Sequence, residues 1–567
     1  YCISIIIIFK ELFPLILKRF LIILLISKIL VSQEKNNFVV PLDIPLRLSG
    51  TFGELRGNHF HAGIDIRTQG REGFKIGSVK SGKINRIRVS TSGYGKALYI
   101  EHLDGTTSVY GHLKKFSPRI EAYVKEQQYL KESYTIQIFP KGNKLNIDQG
   151  EIIGYSGNTG GSNGPHLHFE MRNSKDQSPI NPMLFPFEIE DTQRPQIKNF
   201  YLFTSKENDY IKKEYSLIRK NDSVYTTPTI NTEGSIHVGL RLFDRQDFSF
   251  NKNGIYKASI LLNGKEEFSF TMDTITFNDS DKINLMIDYE TLKKDKRRIQ
   301  RFAALENSSF SFVDSKKQNG ELNIKPNNSY QLTLEISDFK GNTSYVETYI
   351  LGISKLLLPK KKSISLMNPI MDYSYEFKSS SVYFPKEAFY KEVSVYSEQV
   401  GDTLKVGKDI IPLKNSFEVS FSIPKLDSLK SAQSFIGKLD PKGKFRFLSN
   451  KVKNGVLKGS SKTLGSFMIL RDSIAPEIVP INFKNKQWLS NYNFLKLKIE
   501  DDFTGIKSYR GELNGEWILL EYEPKNKTLI YDLKDLASDK AFHELTIEAE
   551  DLVGNKTEYS IEFYRKK

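Results

Sequence analysis

Six of the eight histidines fall between His59 and His168, in a stretch dense in glycine. Two short groupings there could do chemistry. His61-Ala-Gly-Ile-Asp65 places an imidazole and a carboxylate four residues apart. Gly63 and the β-branched Ile64 and Ile66 favour a loop entering a strand over a helix. In His166-Leu-His168, the period of a strand puts both imidazoles on one face with Cα atoms about 7 Å apart, and turns Leu167 and Phe169 the other way. Two such histidines can both bind one metal, or one can bind while its neighbour lines the site; spacing alone leaves this open. The chain has one cysteine, Cys2. A metal in this region is therefore held without sulfur, and imidazole with carboxylate suits Zn²⁺. His59, two residues before His61, reads as a rim residue.

The elements that must position these groups are short strands and Gly/Asn/Asp turns: 82–89, 97–103, 106–112, 151–155 and 166–171. A helical pattern appears only in 119–134, after Pro118. Asp104-Gly105 predicts a two-residue hairpin turn. Its register sets Leu103 opposite Thr106, Tyr99 opposite Tyr110 and Ala97 opposite His112. On that register His112 shares a face with Tyr110, Ser108, Ala97 and Tyr99, while His102 falls on the other face in a structural role.

Taken together, His61–Asp65, Tyr110-Gly-His112-Leu113 and Ser156-Gly-Asn-Thr-Gly160 with Gly164-Pro-His-Leu-His-Phe-Glu170 resemble the lysostaphin/LytM-type zinc metalloendopeptidases of peptidoglycan. The resemblance covers about residues 45–187. It implies an antiparallel β domain of the duplicated hybrid motif type and one Zn²⁺ per chain, with His61, Asp65 and His168 as ligands. His112 and His166 would be the catalytic pair that does not bind the metal. A Zn²⁺ with these ligands acidifies water toward neutrality, and the implied reaction is hydrolysis of the peptide stems that cross-link peptidoglycan. Residues 119–148 look inserted and are expected to form part of a groove wall. The upstream active-site tyrosine of some relatives has no counterpart in Thr51–Arg56.

The remainder is expected to be β-rich, giving a mainly β chain with about three β-sandwich domains after the metallopeptidase domain (33–187). Asp191-Thr-Gln-Arg-Pro-Gln-Ile197 resembles Asp472-Ser-Ile-Ala-Pro-Glu-Ile478, and Asp338-Phe-Lys-Gly-Asn342 resembles Asp551-Leu-Val-Gly-Asn555. This repeat predicts Ig-like sandwiches at 188–355 and 471–567, with a further β-rich domain at 356–470. The Asp-x-x-Gly-Asn segments are read as turns in preference to Ca²⁺ sites. His237 and His543 stand alone and are expected to be packed.

Lys18-Arg19, the apolar run from Phe20 and the small residue Ser32 read as a secretory signal peptide over 1–32, with a membrane anchor as the alternative. The expected location is the periplasm or cell envelope, after export across the inner membrane. Against 67 acidic residues stand 82 Lys and Arg, a net +15. No basic cluster marks a nucleic-acid surface, so no nucleic-acid partner is expected. The N-terminus offers an envelope or membrane association, and the β tail a surface for a protein or wall partner. The competing function is a non-catalytic scaffold that binds peptidoglycan or activates another hydrolase.

Overall fold

The computed structural model describes residues 38–142, 144–206, 209–304, 308–314, 319–354, 366–423, 432–538 and 540–566. Residues 1–32, expected to be a signal peptide, lie outside the described residues. Among those described, no helix is long and apolar enough to cross a membrane.

The chain is mainly β, as expected. In the histidine-bearing unit, β1 (Leu48–Gly50), β2 (Ile64–Arg67), β3 (Lys75–Gly77), β4 (Gly82–Val89), β5 (Lys96–His102), β6 (Thr106–Leu113) and β7 (Lys115–Phe116) precede helix α1 (Pro118–Lys131). After it come β8 (Ile136–Ile138), β9 (Asn146–Ile147), β10 (Ile152–Tyr155), β11 (His166–Asn173) and β12 (Pro179–Ile180). The main sheet runs β1-β2-β11-β6-β5-β4-β8, and β3-β10-β7 form a small second sheet. One face of the main sheet carries Ile64, Ile66, Leu98, Ile100, Tyr110, Leu167 and Phe169 into a shared apolar core. Alternation then sends the residues between them to the opposite face. That places Asp65, His168 and Glu170 together there.

The β5–β6 hairpin differs from the predicted register by one residue. Glu101 pairs with Thr107, Tyr99 with Val109 and Leu98 with Tyr110. Leu103 therefore belongs to the turn, which has three residues and places Gly105 at φ 80. Tyr110 and Ser108 consequently face the core side. His112 still reaches the opposite side because its own backbone is left-handed, at φ 58, which breaks the alternation at the strand's end. His102 stays on the core side and is satisfied by Ser81 O (3.0 Å) and Ser108 Oγ (2.8 Å).

Three further β units follow, each built of two sheets: about 196–352, 373–471 and 477–564. His237 and His543 are buried, stacked on Phe203 and Phe563. Two of the units grip the first. Phe52, Leu55 and Phe60, from the loop before His61, join the apolar core of the 196–352 unit. The Phe60 ring lies 6.2 and 5.2 Å from Phe310 and Phe312.

The residues read as a groove-wall insertion do something different. Ile120 and Val124 of α1 pack inward, and β8 and β9 extend the sheet along β4. The outer side of this insertion docks on the C-terminal unit through Tyr129–Trp517 (5.1 Å) and Lys125–Asp535 (2.8 Å). Nearby, Lys96 pairs with Glu521 at 2.9 Å. Apolar Ile120 and Val124 on one side, with Lys125 and Tyr129 offset around the helix, explain why the segment bridges two units.

Phe60 fills the seam between the first two units and is 1% exposed. Phe60→Ala is expected to cost about 3–5 kcal/mol of stability, read as a lowered thermal midpoint.

Candidate metal centre

Four segments deliver the site. Thr51–His61 is a loop, Asp65 lies on β2, His112 lies next to the last residue of β6, and His166 and His168 lie on β11. Strand pairing sets the geometry, because His168 lies directly between Asp65 on one neighbour and Gly111 on the other. A Cβ at position 111 would sit 3.4 Å from that of His168, so glycine there leaves the imidazole its room.

Three acceptor atoms converge. His61 Nε2 lies 3.0 Å from Asp65 Oδ1 and 3.1 Å from His168 Nδ1, and His168 Nδ1 lies 2.9 Å from the same Asp65 oxygen. Each of the other ring nitrogens is committed. His61 Nδ1–H donates to Thr51 O at 2.8 Å. His168 Nε2–H donates to Glu170 Oε1 at 2.7 Å. The second Asp65 oxygen accepts from Arg56 Nη2 at 2.9 Å. Two bare nitrogen lone pairs and one carboxylate oxygen thus point at a common centre, within one buried group of residues. Ligands on a tetrahedral ion at 2.0–2.1 Å stand about 3.3 Å apart, close to the observed triangle. The donor set fits Zn²⁺.

The charges agree with this arrangement. Burial would raise the Asp65 carboxyl, but the adjacent imidazoles, His61 first and then His166 and His168, hold it well below the usual range. Burial would lower His168, yet Asp65 and Glu170 push it up to about 9. Glu170 is fully buried and held down to about 2 against its own desolvation by Arg172 and His168, with Arg172 Nε donating at 2.6 Å.

His112 and His166 stand beside the triangle with ring centres 4.8 Å apart. His112 Nδ1–H donates to Thr159 O (2.8 Å) and His166 Nδ1–H to Gly164 O (2.8 Å). Both tautomers are thereby set with Nε2 bare. His166 Nε2 lies 3.4 Å from Asp65 Oδ1. Desolvation, with His168 and His166 nearby, lowers His112 to about 3, so it is neutral near pH 7. His59 is exposed, bonded to Asn58, and takes no part in the triangle.

Sequence reasoning left two groups without a role. Tyr94 stacks on His168 at 4.8 Å and 22°. Glu170 orients the same ring from its other side. The period of β11 already puts Glu170 on the face of His166 and His168. Tyr94 arrives from the 90–95 loop, and local spacing gives no sign of it.

Residues 59–137 and 135–182 match the sequence profile of Peptidase family M23, and residues 365–472 that of a Zu5-like domain. The DD-carboxypeptidase/endopeptidase Mpg of Neisseria meningitidis serogroup B is 30% identical over 158 residues, 27% of this chain and 30% of that protein. The cell division protein DipM of Caulobacter vibrioides is 28% identical over 159 residues, 27% of this chain and 22% of that protein. The chain therefore spans less than a third of the length of these curated relatives. The catalytic domain of lysostaphin from Staphylococcus simulans is 25% identical, with 27% of this chain and 94% of that one covered at a TM-score of 0.18.

Partners that orient a metal-binding imidazole are worth roughly 10–100-fold in affinity. Glu170→Gln, which removes the acceptor's charge at His168, is expected to weaken Zn²⁺ binding by that factor in a chelator competition.

Proposed function

We propose, from the Peptidase family M23 domain that residues 59–182 form, that this chain is a zinc endopeptidase cutting the peptide cross-links of peptidoglycan. The observation that carries the reading is the convergence of His61 Nε2, Asp65 Oδ1 and His168 Nδ1 within 3.1 Å, with every other polar atom of the three side chains already committed. His61, Asp65 and His168 would hold the ion. When bound, Zn²⁺ supplies a Lewis acid that polarises a carbonyl and acidifies water.

The rest of the chemistry belongs to the chain. Nε2 of His112 and Nε2 of His166 are both unprotonated in the tautomers that Thr159 and Gly164 impose. They can accept a proton from the attacking water and return one to the leaving amine. Glu170 and Tyr94 fix the plane of His168, and Arg56 confines Asp65 to presenting one oxygen. Once protonated, His112 or His166 also provides a donor for the developing oxyanion.

The substrate follows from less direct support. The name of the Neisseria relative points to bonds between D-amino acids, and a D-Ala to diaminopimelate cross-link is the natural member of that class. Such a substrate lies outside the inner membrane, which agrees with the signal-peptide reading of residues 1–32 and a place in the periplasm or envelope.

Ligands and proton carriers should separate experimentally. His168→Ala is expected to lose both stoichiometric zinc and release of muropeptides from sacculi. His112→Ala and His166→Ala should keep zinc and lose about 10²–10⁴-fold in rate. Full lytic activity in His168→Ala overturns the ligand set. A zinc-loaded wild-type chain that releases nothing selects the scaffold reading instead.

A further inference from the structure

A second group of potential ligands lies at the seam between the peptidase domain and the 196–352 unit. One carboxylate oxygen from each of Asp191, Asp244 and Asp338 lies within 4.8 Å of the others. They come from three distant segments, and Asp244 and Asp338 are each 3% exposed. Their small cavity, about 20 Å³, is lined on the peptidase side by Thr51 and Phe52. It exceeds the roughly 10–15 Å³ that one water requires.

The protein does not neutralise this cluster. Among the described residues none of the three makes an ion pair, and Asp244 Oδ1 is buried with no hydrogen-bond partner at all. Asn253 pairs with Asp244 across an isolated antiparallel bridge, so the two side chains leave the same face. Both polar atoms of Asn253 are likewise buried and unpartnered. Desolvation, with the other carboxylates adding, pushes Asp244 up to about 9 and Asp191 up to about 7.

The repeat supplies its own comparison. Asp472, Asp501 and Asp551 form the equivalent cluster in the last unit. In both clusters protein donors meet the first and last acids, and the difference lies at the middle one, where Asp501 is met by donors and Asp244 Oδ1 is not. Thr504 Oγ1–H donates to Asp472 Oδ2 at 3.0 Å, and Thr504 N–H to Asp501 Oδ1 at 2.8 Å. The backbone amides of Val553, Gly554 and Asn555 donate to Asp551 Oδ1. An orphaned buried carboxylate oxygen facing a cavity belongs to the first cluster.

We propose that Asp191, Asp244 and Asp338 bind one Ca²⁺ that fastens the 196–352 unit onto the loop carrying His61. All-oxygen ligation suits a hard cation, and ligand oxygens at 2.3–2.6 Å from Ca²⁺ stand up to about 5 Å apart. The turn at Asp338-Phe-Lys-Gly-Asn342 is compatible with this role. Asn342 donates N–H and Nδ2–H to the two oxygens of Asp338 (2.9 and 2.7 Å), and each oxygen keeps a second lone pair. The cation would act on the peptidase site through Thr51. The Thr51 hydroxyl accepts from Gly254 N–H at 3.0 Å while its carbonyl accepts from His61 Nδ1–H at 2.8 Å.

The test is calorimetric titration of CaCl₂ into the zinc-loaded full chain freed of other cations, with thermal unfolding in parallel. Neither readout depends on the hydrolase reading. Wild type and Asp501→Asn are expected to bind Ca²⁺ and to unfold at a higher temperature with it. Asp244→Asn should bind at least about tenfold more weakly, a loss of about 1.4 kcal/mol. If Asp244→Asn fails to fold by circular dichroism, the more exposed Asp191→Asn takes its place with the same expectation. Absence of both heat and thermal shift in wild type overturns the proposal. So does a folded Asp244→Asn or Asp191→Asn that binds as wild type does, or loss of the ion in Asp501→Asn alone.

Discussion

Three hydrogen-bond acceptors meet at about 3 Å with no hydrogen available to any of them, and the rest of the peptidase domain is arranged around that constraint. Two imidazole lone pairs and a carboxylate oxygen repel one another in a buried site. The arrangement is stable only with positive charge at its centre. His61 cannot relieve it by changing tautomer, because Thr51 O already accepts its other N–H. His168 cannot either, because Glu170, itself balanced by Arg172, holds its Nε2–H. A proton partly relieves the metal-free site, which is the physical meaning of the upward displacement of His168. A divalent cation relieves it fully.

The flanking units contribute by fixing the loops that strands alone would leave loose. The loop before His61 is anchored because Phe52, Leu55 and Phe60 are core residues of the neighbouring β unit. On the opposite side, Lys525 of the C-terminal unit donates to Asn158, next to the Thr159 carbonyl that sets the tautomer of His112. A Lys96 amide bonded to Thr159 Oγ1 and a Lys96 ammonium paired with Glu521 complete that contact. The β tail thus touches the loops on both sides of the site. Long-range packing of this kind is what turns five side chains from four segments into one constellation.

Much of the site was legible because its spacing is short and periodic. His166 and His168 share a face by strand alternation, and Gly63 with Ile64 and Ile66 correctly placed Asp65 on a strand entered from a loop. The separation of His112 from His102 was also legible, but for a different reason than the register suggested. The three-residue turn ending at Gly105 shifts the pairing by one, and a left-handed backbone at His112 restores that ring to the site. Neither feature has a marker in Asp104-Gly105. Glu170 was visible in the same period as the histidines. Tyr94 and the Asp191–Asp244–Asp338 cluster were not, since residues far apart in sequence meet only through tertiary packing.

Everything in the site turns on which ion the first triangle holds and through which atoms. Zinc K-edge X-ray absorption on the purified full chain addresses it directly. Stoichiometric zinc with two imidazole nitrogens and oxygen ligands in a four-coordinate shell at about 2.0–2.1 Å is expected. A purified, folded chain that takes up no zinc, or a shell lacking two imidazoles, would contradict it.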